Sequence, residues 1–326
     1  MKKILILLLI IIVGFISFSF IKKDDKKNKK IRLAEVTHSI FYTPLYVAIE
    51  NGYFKDNGID LELILTSGAD KVSAAVLSGD VEIGLAGAES AIYIYNGGEK
   101  DYLKIFSGLT KRDGQFIIGR NSNKNFELND LKGKEVLVGR KGGMPALNFI
   151  SALEKNGINP NDLNINYSID FASLSGAFIS NTGDYVNLFE PNATQLDKNK
   201  QGYILTPIGK YSGEMPYTVF YAKKSYIKDN EHVIKGFNSA INSGLKYTKE
   251  HNAKEIANLI SKQFPDTSIN DLTLMIQNYK DADSWLDNTY TSEDSFKNLE
   301  DLLIKNKLID NYVPYNKLVI NYKDEK

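Results

Sequence analysis

The sequence predicts an α/β protein of two lobes joined by two crossover segments, with mostly parallel sheets and flanking helices. Three observations carry that prediction. Short β-rich runs alternate with amphipathic helical windows, the pattern that builds βαβ units. The alternation occurs twice, in two sets that echo each other. From Asp229 onward the pattern turns helical, so the end of the chain should return to one of the lobes.

The first set opens with a strand at Ile31–Val36, a helix at Pro44–Asn51 and a strand at Asp60–Thr66. A helix at Asp70–Leu77, a strand at Glu82–Ala86, a helix at Glu89–Tyr95 and a strand at Leu103–Gly108 complete it. The second set begins near Glu127, with Lys134–Gly139 as strand, Pro145–Lys155 as helix and Leu163–Tyr167 as strand. It continues through a helix at Ser173–Ser180, a strand at Tyr185–Phe189, a helix at Pro191–Asp197 and a strand at Tyr203–Pro207. The echo shows in "NGIDLEL" at Asn57–Leu63 and "NGINPNDLNI" at Asn156–Ile165, each following a helix. The tail reads as helices at Asn230–Glu250, Ala253–Gln263, Ile269–Asp281 and Glu293–Lys305. Two short extended segments, Phe116–Arg120 and Tyr217–Tyr221, are the expected crossings. Two crossings make a hinge, and two lobes that move about a hinge trap a ligand between them.

Composition sets the limits. The chain has 326 residues, 40 Lys and Arg against 40 Asp and Glu, and no cysteine. At roughly 100–200 residues per domain this is two domains, each with enough apolar material for a core. The missing cysteine excludes a disulfide scaffold, a thiolate metal site and a cysteine nucleophile. The neutral balance averages unlike parts: residues 1–32 carry nine Lys or Arg and two acids, so the remainder is net acidic. An acidic body argues against nucleic acid as a partner.

Lys2 and Lys3 precede an apolar run from Ile4 to Ile21, and a Lys/Asp/Asn stretch follows. A charged segment before an apolar one is the signature of export. The run is long enough to leave signal peptide and membrane anchor both open. The expected organisation is therefore 1–21 as signal peptide or anchor and 22–30 as a charged stalk. The first lobe takes 31–117 with 221–326, and the second takes 118–220.

Three strand-to-helix turns stand out: Ser67-Gly68-Ala69-Asp70, Ala86-Gly87-Ala88-Glu89-Ser90 and Gly142-Gly143-Met144-Pro145. In a parallel sheet such loops line the crevice where ligands bind, and helix N-termini there present unpaired N–H groups. In the loop after the first strand, Ser39, Ile40, Phe41 and Tyr42 precede a helix opened by Pro44. Two adjacent aromatics cannot both enter one core, so at least one should face the cleft, as aromatics do in small-molecule pockets. Tyr46 and Tyr53 read as core. Glu190 ends an apolar strand just before Pro191, placed either to accept hydrogen bonds from a ligand amine or to cap the next helix. Glu89 reads as a first-turn acid favoured by the helix dipole. Arg112 and Arg140 could clamp an anion or serve as surface charge. His38 reads as a structural histidine, with a metal-ligand role requiring partners such as Glu89 or Glu190. No catalytic motif is present: there is no H-E-x-x-H, G-x-S-x-G or G-x-x-x-x-G-K-[ST].

"HSIFYTPLYVAIENGYFKDNGIDLEL", "SGADKVSAAVLSGDVEIGLAGAESAI" and "RKGGMPAL" resemble the substrate-binding proteins of ABC importers. The branch is the one that includes sulfonate, taurine, nitrate and thiamine-pyrimidine-precursor binders, and the resemblance covers about 31–320. It implies a periplasmic-binding-protein-like fold of type II, capture of a small solute between lobes, and delivery to a permease with its ATPase. It carries no enzyme activity, no cofactor and no metal, and implies a monomer tied to the membrane only by its N-terminal segment. The ligand-facing positions it implies are Ser39, Ile40, Phe41, Tyr42, Ser67, Gly68, Ala88, Glu89, Gly142, Gly143, Met144 and Glu190, with Arg112 and Arg140 as possible anion contacts. The lipoprotein cysteine usual in that family is missing. Two other readings stand beside it: an enzyme on the same scaffold using His38, and an anchored sensor domain.

Overall fold

The computed structural model describes residues 28–322. The segment expected to be the export signal or anchor, and most of the stalk, lie outside the described residues. Lys29 and Lys30, assigned to the stalk from sequence, belong instead to the first strand, β1 (Lys29–Glu35). They are drawn in because β1 pairs in parallel with β2 (Ile59–Leu65) from Lys29 onward, and Lys30 meets Glu62 at 2.7 Å.

Two five-stranded sheets form. The first has β2 and β1 followed by β3 (Ile83–Gly87), β10 (Thr218–Lys223) and β4 (Leu103–Thr110). The second orders β7 (Asn164–Asn166), β6 (Glu135–Leu137), β8 (Tyr185–Leu188), β5 (Phe116–Gly119) and β9 (Tyr203–Pro207). The orders match position for position. In each, one strand is antiparallel to both neighbours, and it is the strand that comes from the other half of the chain. β5 enters the second sheet antiparallel to β8 and β9, and β10 re-enters the first antiparallel to β3 and β4. The sheets are thus mixed, with four of five strands running one way.

The central strands are apolar along nearly their whole length (β3 is Ile-Gly-Leu-Ala-Gly, β10 Thr-Val-Phe-Tyr-Ala-Lys), as strands covered on both faces must be. The expected helices form with small shifts. The Ala253–Gln263 window resolves into an α-helix at Ala253–Ile260 and a 3₁₀ turn at Ser261–Gln263. Its start is fixed by a capping box between Asn252 and Glu255. The strands expected at Lys134–Gly139 and Leu163–Tyr167 shorten to three residues each.

The helical tail packs on the first lobe. Its longest helix, Glu231–Glu250, lies against Thr43–Glu50 at Gly244, where a Cβ would stand 2.2 Å from the Pro44 carbonyl oxygen. The tail also reaches the second lobe, through Lys198–Asp271 at 2.6 Å and Lys305–Glu154 at 2.8 Å. One apolar core runs from Leu33 and Phe41 in the first lobe to Leu147, Leu174 and Leu188 in the second. That continuity means the lobes are closed on each other. A smaller core around Val136, Phe149 and Leu153 lies within the second lobe.

Candidate functional site

The hinge is two chain segments lying side by side. Residues 111–115 leave the first sheet and residues 208–217 return to it. They are tied by Ile208 N to Gln115 O (2.9 Å), Met215 N to Lys111 O (3.0 Å) and Tyr217 N to Thr110 O (3.2 Å). The tail braces this pair, because Lys111 N donates to Ser284 O at 3.0 Å. Gly114 sits where the hinge meets the aromatic loop: a Cβ there would be 2.3 Å from the Phe41 ring.

The loop after β1 sits at the junction of the lobes. Ser39 Oγ accepts from Phe41 N and donates across the junction to the Glu190 carbonyl at 2.8 Å. Ile40, Phe41 and Tyr42 form a buried 3₁₀ turn. The Phe41 ring lies 5.2 Å from Phe189, 5.2 Å from Tyr279 and 5.7 Å, edge-on, from Tyr217. Trp285 Nε1 holds the Phe41 carbonyl at 2.8 Å. Phe41 therefore packs across the junction among aromatics of the second lobe, the hinge and the tail.

Ala88 and Glu89 open the helix Glu89–Asn96 and are both buried. The Glu89 carboxylate reaches the other lobe, where Met144 N donates to Oε1 at 3.4 Å at the N-terminus of Met144–Lys155. Burial pushes its pKa up to about 7, although its own N–H contacts and the Arg140 charge pull the other way. Tyr93 adds a second tie between the lobes, Oη to Gly142 O at 2.8 Å. Gly142, Gly143 and Met144 are buried in this contact. Ser67 is exposed, with Gly68 half-buried at the start of Ala69–Ser78, so this turn stands farther toward solvent than the other two.

Glu190 takes the capping role. Thr194 N donates to one carboxylate oxygen at 2.8 Å, and Thr194 Oγ1 and Asn278 Nδ2 donate to the other at 2.8 and 2.9 Å. Its own N–H donates to Tyr279 Oη at 2.9 Å. Arg112 is shared between Glu214 (2.8 Å) and Asp283 (3.1 Å), and Arg140 is exposed. Both ring nitrogens of His38 are occupied, Nδ1 by Glu35 at 2.7 Å and Nε2 by the Gln263 carbonyl at 2.9 Å. Tyr46 Oη completes that cluster on Glu35 at 2.8 Å. Burial lowers the His38 pKa, but the hydrogen bond and charge of Glu35 outweigh it and the net direction is up.

Sequence reasoning missed the polar groups buried behind this loop. Asp113 and Gln115 lie in the outgoing hinge segment, Tyr217 in the returning one, Asn187 in β8 and Asn148 in the Met144–Lys155 helix. All are buried, and each has a polar atom without a hydrogen-bond partner, as has Glu89 Oε2. They are connected. Gln115 N donates to Asp113 Oδ1 at 2.7 Å, Gln115 Nε2 to the Asn187 carbonyl at 3.2 Å, and Asn148 Nδ2 to the Met144 carbonyl at 3.1 Å. Tyr217 faces Asp113 and feels the charge of Glu89, and burial pushes both Asp113 and Tyr217 well up in pKa. The available signal was a single Asn inside an apolar strand (Val186-Asn187-Leu188) and inside an apolar helix (Leu147-Asn148-Phe149). An open groove elsewhere is lined by Lys198, Leu205, Leu274 and Asp281, and among the described residues none of the unpartnered buried polar side chains lines it.

Known proteins agree with this architecture. The family described as NMT1/THI5 like matches residues 40–255. A protein of Bacillus subtilis (strain 168) named "Putative binding protein YtlA" is 39% identical over 298 residues, 91% of this chain and 89% of that one. The alkanesulfonate-binding protein SsuA from Xanthomonas axonopodis pv. citri, bound to MOPS, superposes with a TM-score of 0.72 at 14% identity, over 90% of this chain and 98% of that one. The periplasmic aliphatic sulphonate binding protein SsuA from Escherichia coli gives 0.68 at 16% identity, over 89% and 97%. Both share this chain's fold of two mixed sheets with flanking helices. The chain belongs to the NMT1/THI5-like family and has a periplasmic-binding-protein-like fold.

Proposed function

We propose that this chain is an extracytoplasmic solute-binding protein. It closes its two lobes on a small organic solute and delivers it to the permease of an ABC importer, which is driven by its ATPase. The observation that carries the reading is the two-segment hinge with Asp113, Gln115 and Tyr217 built into it, facing lobes closed over polar atoms without partners. Groups on both sides of a hinge couple capture to closure, because a solute that pairs with both lobes binds only the closed form well. Family membership and the name of the Bacillus relative support binding rather than catalysis. His38 supplies no competing chemistry, since both its nitrogens are engaged inside the first lobe and its tail. The two solute classes in play are sulfonate- or taurine-type anions and thiamine pyrimidine precursors. The Lys-flanked apolar run at the N-terminus supports export to the outer face of the membrane or the periplasm.

The test is a titration of the chain from Lys29 onward with both solute classes, followed by scattering and heat denaturation. A solute bound at 100 times its Kd adds about 2.7 kcal/mol of stability, and closure should shrink the scattering radius. The loaded chain should also stimulate ATP hydrolysis by the importer in vesicles. Saturable binding at one site per chain that leaves the importer idle would refute delivery and favour the sensor reading.

A further inference from the structure

The helix Ile269–Asp281 ends in a turn that local rules disfavour for the residue it holds. Asp283 N donates to Lys280 O at 3.1 Å and Ser284 N to Tyr279 O at 3.2 Å, the paired bonds of a Schellman C-cap. Asp283 takes the left-handed conformation of that motif, with φ at +50°, where glycine or asparagine ordinarily stands. It also sets a carboxylate at the negative end of the helix dipole. A residue that breaks two local rules points to a tertiary role. The partners lie in the outgoing hinge segment: Asp283 Oδ1 meets Lys111 Nζ at 2.8 Å, and Oδ2 meets Arg112 Nη2 at 3.1 Å. Arg112 Nη2 in turn reaches Glu214 of the returning segment at 2.8 Å, so one carboxylate bears on both segments of the hinge.

The next two residues carry the contact onward. Ser284 O accepts from Lys111 N at 3.0 Å, and Trp285 pairs with Thr110 as an antiparallel bridge. Trp285 Nε1 donates to the Phe41 carbonyl at 2.8 Å, and the Phe41 ring packs across the lobe junction. We propose that Asp283 is a positioning residue for solute capture: its charge holds the outgoing hinge segment, and through Ser284 and Trp285 it fixes the place of Phe41. An isolated exposed ion pair contributes little. Here two consecutive hinge cations share one carboxylate, and a backbone bond beside them holds the same segment. Residues 283–285 are joined by planar peptides, so the hinge cannot turn at Lys111 without moving the indole that holds Phe41. The part in capture rests on the reading of the chain as a solute-binding protein, whereas the coupling of hinge to loop stands without it.

The test uses the full chain without solute. Asp283→Asn removes the charge and keeps a residue suited to the left-handed conformation, and Asp283→Gly removes the charge and relieves the backbone. Asp287→Asn is the control, an exposed acid of the same segment that pairs with Lys249 instead. Amide hydrogen exchange is followed at Lys111 and Met215 in the hinge and at Tyr42, whose N–H bonds to Ser39 O. Trp285, the only tryptophan in the chain, reports on the loop through acrylamide quenching of its fluorescence. Both Asp283 variants should speed exchange at all three amides about threefold or more and raise the quenching, while Asp287→Asn changes neither. Asp283→Gly should melt no lower than the parent, so the loop loosens without loss of stability, a split that a merely structural residue would not give. Arg112→Gln should add little to Asp283→Asn, because the two act through one contact. Faster exchange in the hinge with Tyr42 and Trp285 unchanged would overturn the proposal, as would no change at any of them. Lower melting in both variants, with faster exchange spread into the helix Glu231–Glu250, would show a general role in the fold and overturn it too. All of these results leave the solute-binding reading standing, because no solute enters the measurement.

Discussion

Replacing Glu89 by Gln should make the ligand-free protein more stable at alkaline pH and leave it nearly unchanged in acid. The carboxyl is 1% exposed, and burial lifts its pKa from 4.5 to about 7. The groups facing it are Arg140, which opposes the shift, and the hydroxyls of Tyr42, Tyr93, Tyr217 and Tyr221, all themselves pushed up by burial and so neutral in this range. A group whose folded pKa is raised binds its proton more tightly in the folded state. Its contribution to stability is complete below pH 4.5 and is lost as pH rises through about 7. At 1.36 kcal/mol per unit the loss is about 3 kcal/mol by pH 8. For a chain of this size that is a Tm difference of about 5 °C. Glutamine keeps the shape and an acceptor for Met144 N but cannot ionise. The assay is thermal or urea denaturation of parent and variant at pH 5 and pH 8. Asp113 and Glu190, whose pKa values are also raised by burial, add pH dependence of the same sign to both proteins and cancel in the difference. A parent-to-variant gap that is the same at both pH values would refute the reasoning, because it would mean that Glu89 is solvated or paired when the lobes close.

Other expectations follow from the same geometry. Gly114→Ala drives a methyl to 2.3 Å from the Phe41 ring and should cost about 1–3 kcal/mol by overpacking, seen in denaturation midpoints. Asn187→Leu removes a buried amide with neither polar atom partnered and should stabilise the ligand-free protein by about 1–2 kcal/mol while weakening capture. Measured by urea midpoint and titration, loss of both stability and binding would show that the amide is satisfied by ordered water. His38→Ala should destabilise most below pH 6.5, with the gap closing as pH rises through the raised pKa of the imidazole. Thr194→Val removes a donor to the buried Glu190 carboxylate and should cost about 1–3 kcal/mol, read by the same denaturation.

The sequence alone determined the order and kind of nearly every element, and the physical reason is local. Alternation of β-branched runs with amphipathic windows, Pro44 and Pro145 in first turns, and caps such as Ser268 and Ser292 act within a few residues. The helices Ile269–Asp281 and Glu293–Lys305 end where the periodicity ends. The echo of "NGIDLEL" in "NGINPNDLNI" accompanies two sheets of one strand order, and Phe41, Tyr42, Glu89 and Glu190 are all buried. Only the tertiary structure decided what each of them does there. Glu190 is spent on Thr194 and Asn278, and Arg112 on Glu214 and Asp283, partners 88 or more residues away in three of those four cases. Asp113, Gln115, Asn148 and Asn187 look in the sequence like ordinary polar residues of loop, helix and strand. Their significance is burial without a partner, which depends on groups brought together from three separate segments by two crossings of the chain. Hydrogen-bond satisfaction is a property of the whole fold, so the scaffold could be read along the chain but the pairing of its buried polar groups could not.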